Sequence, residues 1–184
     1  MKRFLFVLVS IALTLGAVGA RAELTIEITQ GVDSPTAIAV VPFAWKGAGQ
    51  APEDVAAVVD GDLARSGQFA PIARLDMLGR PSIESEVFYR DWRAINSEYL
   101  VIGRVSVAGE LRVEYELFDV LRQTRVHTGV ETGPVSEARM VGHRVADAIY
   151  EKLTGIPGAF ATRLLYISVT RDPGGKDYSR LTLA

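Results

Sequence analysis

Leu24, Ile26 and Ile28 alternate with Thr25, Glu27 and Thr29, a period of two that predicts a half-buried strand. The turn-forming run Gly31-Val32-Asp33-Ser34-Pro35 ends it. From Ala37 to Phe43 the chain is apolar without alternation, broken only by Pro42, which predicts a central strand ending near Val41. Gly47 and Gly49 mark a loop, Pro52 occupies a first-turn position, and Glu53 and Asp54 suit the positive end of a helix dipole. Val55, Val58, Val59 and Leu63 then share one helical face, which Ser66-Gly67 terminates. Phe69 to Ala73 predicts a short strand interrupted by Pro71, Leu75 to Val87 reads as loop, and Tyr89 to Ile95 as a short helix. A three-strand meander follows. Its strands are Tyr99 to Val107, then Leu111 to Leu117 with strict alternation, then about Gln123 to Thr132, with Ala108-Gly109 as the first turn. Glu137 to Leu153 is the second long helix, with Met140, Val141, Val145, Ile149 and Leu153 inward and Gly155 as its stop.

Two long helices, each with a single apolar stripe, and about five strands predict an α+β fold: two helices packed on one face of a roughly five-stranded mixed sheet. Gly155-Ile156-Pro157-Gly158 punctuates the chain, placing one domain over residues 23–156 and a separate segment over 157–184. In that segment Leu164 to Val169 and Tyr178 to Leu183 flank the turn Asp172-Pro173-Gly174-Gly175. A lone two-stranded hairpin is marginal in water, so it reads as the beginning of a further unit.

The first residues change the picture of the compartment. Lys2 and Arg3 precede an apolar run from Phe4 to Val18, and Ala20-Arg21-Ala22 has the small-x-small spacing of a leader-peptidase site. Residues 1–22 are therefore expected to be a signal peptide cleaved before Glu23. The run is short for a membrane span of roughly 20 residues, and no basic cluster follows it. The chain has 20 basic and 22 acidic residues, and losing Lys2, Arg3 and Arg21 with the leader tips it further toward acid. Nucleic-acid binding needs clustered cations that this composition lacks. There is no Cys, so lipid attachment at a mature amino terminus, thiol chemistry and disulfides are all excluded, and packing has to hold the core.

Candidate chemistry is sparse. His127 falls in the third meander strand and His143 on the second long helix, neither with a carboxylate at metal-protease spacing; both read as surface or boundary residues. Gly47-Ala48-Gly49 lacks the third glycine of a dinucleotide loop and the Lys-Ser/Thr of a phosphate loop. Glu53-Asp54 and Glu114/Glu116 have structural readings at a helix start and on a wet strand face, and Glu84 and Glu86 lie in unpatterned loop. No cofactor, metal or small-molecule substrate is expected. Binding surface remains, above all the amphipathic strand Glu23 to Thr29, whose end cleavage would free. Such a strand can pair with its own sheet or add to a partner's, and the residues alone favour its own sheet. A small exported hydrolase or ligand-binding domain is the alternative class, and converging acid and base groups in a pocket would mark it.

The order of motifs resembles the TolB family. Val41-Pro42-Phe43 with Trp45 and Gly47, Ala51-Pro52-Glu53-Asp54-Val55, then Asp62-Leu63, Ser66-Gly67, Phe69 and Pro71 run as they do in that family. The most specific stretch is Tyr150-Glu151-Lys152-Leu153-Thr154-Gly155-Ile156-Pro157-Gly158-Ala159-Phe160, followed by Thr162-Arg163 and Tyr166. The resemblance implies a monomeric periplasmic adaptor, not an enzyme, in the Tol–Pal system, which joins inner-membrane TolQ, TolR and TolA to outer-membrane Pal. It implies a role in outer-membrane integrity and in drawing that membrane inward at division. It also implies a two-helix α/β domain ahead of a six-bladed β-propeller. The amino-terminal segment is the TolA-binding element in this family; here it falls on Glu23, Leu24, Thr25, Ile26, Glu27, Ile28, Thr29 and Gln30. On that reading 157–184 is a linker plus the first strands of an incomplete propeller, and Pal binding is expected only where the propeller follows.

Overall fold

An apolar run without alternation needs cover on both faces, and the first strand, β1 (Thr36–Val40), has it. Ile38 and Val40 enter one core cluster, while Ala39 and the adjoining Val41 enter another on the opposite face. The computed structural model describes residues 34–163, 165–172 and 174–183. The leader, its cleavage site and the strand predicted at Leu24 to Ile28 lie outside the described residues.

The strand β2 (Ala44–Trp45) follows, then the helix α1 (Val55–Arg65) and the short strand β3 (Phe69–Pro71). The helix α2 (Tyr89–Ala94) leads into the meander β4 (Tyr99–Ala108), β5 (Glu110–Asp119) and β6 (Thr124–Gly133), and the helix α3 (Ala138–Thr154) closes the domain. The sheet order is β3-β1-β4-β5-β6, with β2 beside the far half of β4. Pairing is parallel among β3, β1, β2 and β4 and antiparallel from β4 to β6, so the predicted mixed α+β sheet is present. Gly109 turns the first hairpin with φ +83°, a conformation glycine adopts without steric cost.

α1 and α3 cover one face, burying Val55, Val59, Leu63, Val141, Val145 and Ile149 against Val101, Val113 and Leu117. A Cβ built on Gly142 would stand 2.9 Å from a Val58 methyl, so the helices touch closely there. Two details differ from the sequence reading. Glu53 and Asp54 are not in the first turn of α1; the helix begins at Val55 because Asp54 caps it, its Oδ1 accepting the Ala57 N–H at 2.9 Å. Met140 and Leu153 are half-buried at the rim of the stripe, not inward with Ile149.

The count of two helices packed on the sheet becomes three. α2 and the segment before it, including a 3₁₀ turn at Glu84–Glu86, cover the second face. Trp92 is buried there with Ala39, Val41, Leu100, Ile102, Phe118 and Val120, and Met77, Val87, Tyr89 and Ile95 pack around them. Farther along, that face is polar. Arg104 donates to Glu114 at 3.0 Å and to the Ser82 carbonyl at 2.8 Å, and Arg125 bridges Glu84 at 2.7 Å and Glu116 at 3.0 Å. Beyond α3, β7 (Leu165–Arg171) and β8 (Asp177–Leu183) form a separate two-stranded sheet, and Leu165, Ile167, Val169 and Leu181 on it are exposed.

Candidate functional site

The predicted partner-binding residues Glu23 to Gln30 lie outside the described residues, but the point where the chain enters the fold is defined. Thr36 donates its N–H to the Gln68 carbonyl at 2.9 Å, and the Ala37 carbonyl accepts from Glu98 N–H at 2.9 Å. β1 is thus fixed from its first residue. A cavity of about 290 Å³ opens beside this entry, lined by Thr36, Phe69, Tyr99, Tyr150, Leu153 and Ile156 among others.

The exit from the domain is tied down as well. Gly155 ends α3 in the left-handed region at φ +74° and donates to the Glu151 carbonyl at 2.8 Å. Asp147 then reaches from α3 to the linker, its carboxylate accepting the N–H of Phe160 at 2.7 Å and of Ala161 at 3.0 Å. Phe160 stands edge-on to Tyr150 at 5.6 Å between centroids, and Tyr150 stands edge-on to Phe69 at 6.1 Å. Gly158 lies against Asp147 so closely that a side chain there would collide with it. The most specific family-like motif is therefore a latch of backbone, carboxylate and edge-on aromatic rings.

The histidines are each paired with a structural neighbour. His143 Nδ1 lies 2.6 Å from Asp62 Oδ2 between α1 and α3, with the Asp62 carboxylate also paired to Arg65. The sequence reading placed His143 at the surface or boundary; its side chain is 16% exposed and that of Asp62 2%. The missed signal is Asp62 itself, four residues after Val58 on the apolar stripe, where a carboxylate demands a partner. His127 Nε2 meets Tyr115 Oη at 3.4 Å. Burial, with Lys152's charge adding to it, pushes the His127 imidazole below its ordinary value, and burial with the nearby Glu131 charge pushes the Tyr115 phenol up to about 12. A base whose folded-state value is lowered contributes stability that is lost as pH falls below its ordinary value of about 6.5. An NMR titration of the His127 ring protons should show a midpoint below that value, moving upward in Lys152→Ala. A midpoint at or above the ordinary value would put the ring in solvent.

The carboxylates of the sequence reading are likewise engaged. Both oxygens of Asp54 accept from Arg74, at 2.6 and 3.0 Å, which holds its carboxyl below the usual carboxylate range. Arg112 first and Arg104 second do the same for Glu114. Ser82 N–H, donating at 2.7 Å, lowers Glu86. Glu84 and Glu116 share Arg125. Among the described residues no group of three metal-ligating side chains converges, and no buried side-chain polar atom lacks a partner.

These features define an α+β domain with a mixed sheet, in which the grouped acids, bases and imidazoles are matched to one another and its entry and exit are both anchored. The model of the TolB amino-terminal domain matches residues 24–126. The Tol-Pal system protein TolB of Alcanivorax borkumensis is 45% identical over 174 residues, covering 92% of this chain and 40% of that protein. That of Xanthomonas euvesicatoria is 43% identical over 180 residues, covering 96% and 41%. The crystal structure of TolB from Acinetobacter baumannii superposes with a TM-score of 0.66 at 31% identity, over 85% of this chain and 38% of that one. The chain belongs to the TolB amino-terminal domain family, and it spans about two fifths of the length of these relatives.

Proposed function

We propose that this chain is a periplasmic protein-interaction component of the Tol–Pal system and that Glu23 to Gln30 is the element that engages TolA. The observation that carries the reading is the family match over residues 24–126, reinforced by relatives named as Tol-Pal system proteins. The alternation of Leu24, Ile26 and Ile28 with polar residues suits addition to a partner's sheet. β1 is held from its first residue, Thr36, whose N–H donates to the Gln68 carbonyl at 2.9 Å. In this reading residues 1–22 are a cleaved leader, 23–156 the interaction domain, and 157–184 a linker with the opening strands of a β-propeller. Pal contact belongs to the further length that relatives possess. The role is support of outer-membrane integrity and of its invagination at division.

Deleting Glu23 to Gln30 is expected to abolish binding to the TolA carboxy-terminal domain in calorimetry while circular dichroism and urea stability stay as in the intact chain. Unchanged binding refutes the assignment. Loss of the fold would instead make the segment a structural strand.

A further inference from the structure

The chain does not leave the domain where α3 ends. Past Gly155 it turns back and runs antiparallel along the helix it has just completed. Thr154 Oγ1 starts the return, donating to the Tyr150 carbonyl at 2.8 Å and accepting the Ile156 N–H at 3.1 Å. Gly158 then lies against Asp147 with no room for a side chain. The Asp147 carboxylate accepts the Phe160 and Ala161 N–H groups, about 12 Å of helix before Gly155. Thr162 Oγ1 donates to the Ala159 carbonyl at 2.7 Å and closes a turn there. Arg163 ends the run within 3.8 Å of Glu137, the residue just ahead of the first turn of α3. That last ion pair joins two exposed side chains and is weak by itself.

Ile156 lines the cavity beside Thr36, so a chain that continued straight past α3 would leave next to its own entry. The return carries the exit toward the other end of the helix. Asp147 contributes most to holding it there, through two charge-assisted bonds, each stronger than the neutral bonds of Thr154 and Thr162. Phe160 adds a ring edge-on to Tyr150 and packs against the core cluster. We propose that residues 156–163 form a strap closed by Asp147, which holds the outgoing chain in one direction, and that opening the strap turns a fixed junction into a hinge at Gly155. A hinge needs a few residues that absorb a change of backbone angle, and Gly155 and Gly158 supply them. The strap sets how the chain beyond Arg163 is placed against the domain. This role is separate from the partner contact proposed for Glu23 to Gln30, and either can fail without the other.

The chain has no Cys, so nitroxide labels on Ala57→Cys and Leu165→Cys, both exposed positions, report one distance across the strap. Pulsed electron resonance of the full chain should give a single narrow distribution, and Asp147→Ala should broaden it. Asp147→Asn keeps one acceptor oxygen and should fall between. Gly158→Ala leaves the carboxylate in place but pushes the strap off it, and should broaden the distribution as well. It carries the test if circular dichroism shows Asp147→Ala unfolded. Glu151→Ala, an exposed carboxylate one turn along α3, should change nothing. In Asp147→Ala the Phe160 and Ala161 amides should exchange about tenfold faster or more, as loss of bonds to a charged acceptor implies, while those of Val145 and Ile149 hold. A broad distribution in the intact chain, or one that stays narrow in both Asp147→Ala and Gly158→Ala, overturns the proposal.

Discussion

Ile149→Ala is expected to destabilise the domain by about 2–5 kcal/mol, the range for a fully buried aliphatic truncated to alanine. Leu153→Ala, one turn further along α3, is expected to cost only about 1 kcal/mol, because partial burial removes less apolar surface from water in the first place. Ile149 has no exposed surface and sits in the cluster between both long helices and the sheet. Leu153 is half-buried and lines the cavity at the start of β1. Urea melts of the two variants, compared at equal m-value, decide the matter. Equal losses would place Leu153 in the core and make the helical face wider than the burial pattern shows.

His143→Ala is the second large loss, expected at about 3 kcal/mol. It removes a partner 2.6 Å away from a carboxylate that is 2% exposed, leaving Arg65, whose own side chain is 63% exposed, to balance Asp62. Breaking such a pair from one side costs more than replacing both members, since a buried carboxylate with only a solvent-exposed partner is what remains. The double variant Asp62→Leu with His143→Leu should therefore recover most of the stability lost by His143→Ala. A double-mutant cycle that closes additively within about 0.5 kcal/mol would show that the two groups do not act together.

The helices and the meander were legible because their cores obey a period: Val55, Val59 and Leu63 on α1, Val141, Val145 and Ile149 on α3, Leu111 to Leu117 on β5. The cover of the second face was not. It is assembled from Met77 and Val87, in the stretch that reads as loop, together with Tyr89, Trp92 and Ile95 of the short helix expected over Tyr89 to Ile95; the helix was legible, but nothing in so short a segment announces that it and the loop before it cover the sheet. Glu114 and Glu116 alternate as solvent-facing residues should, and nothing in that alternation reveals that Arg104, Arg112 and Arg125 will be brought to them. The linker gave the opposite case. Its motif was recognisable, but the residue that fixes it, Asp147, lies on α3 and reaches across 13 positions to Phe160. Long-range pairing of this kind leaves no local signal. The amphipathic segment Glu23 to Gln30 remains the part of the candidate site legible only in the sequence.

The placement of β1 has a mechanical side. It enters the fold at Thr36 and lies between β3 and β4, both running parallel to it. Tension applied through the chain ahead of Ser34 would pull along that strand, so the hydrogen bonds on its two sides would be strained together in shear and could not be peeled away singly. An edge strand in a hairpin would unzip one pair at a time under the same pull. A domain held by its leading end through a central, parallel strand is in the stronger of the two geometries for a tether.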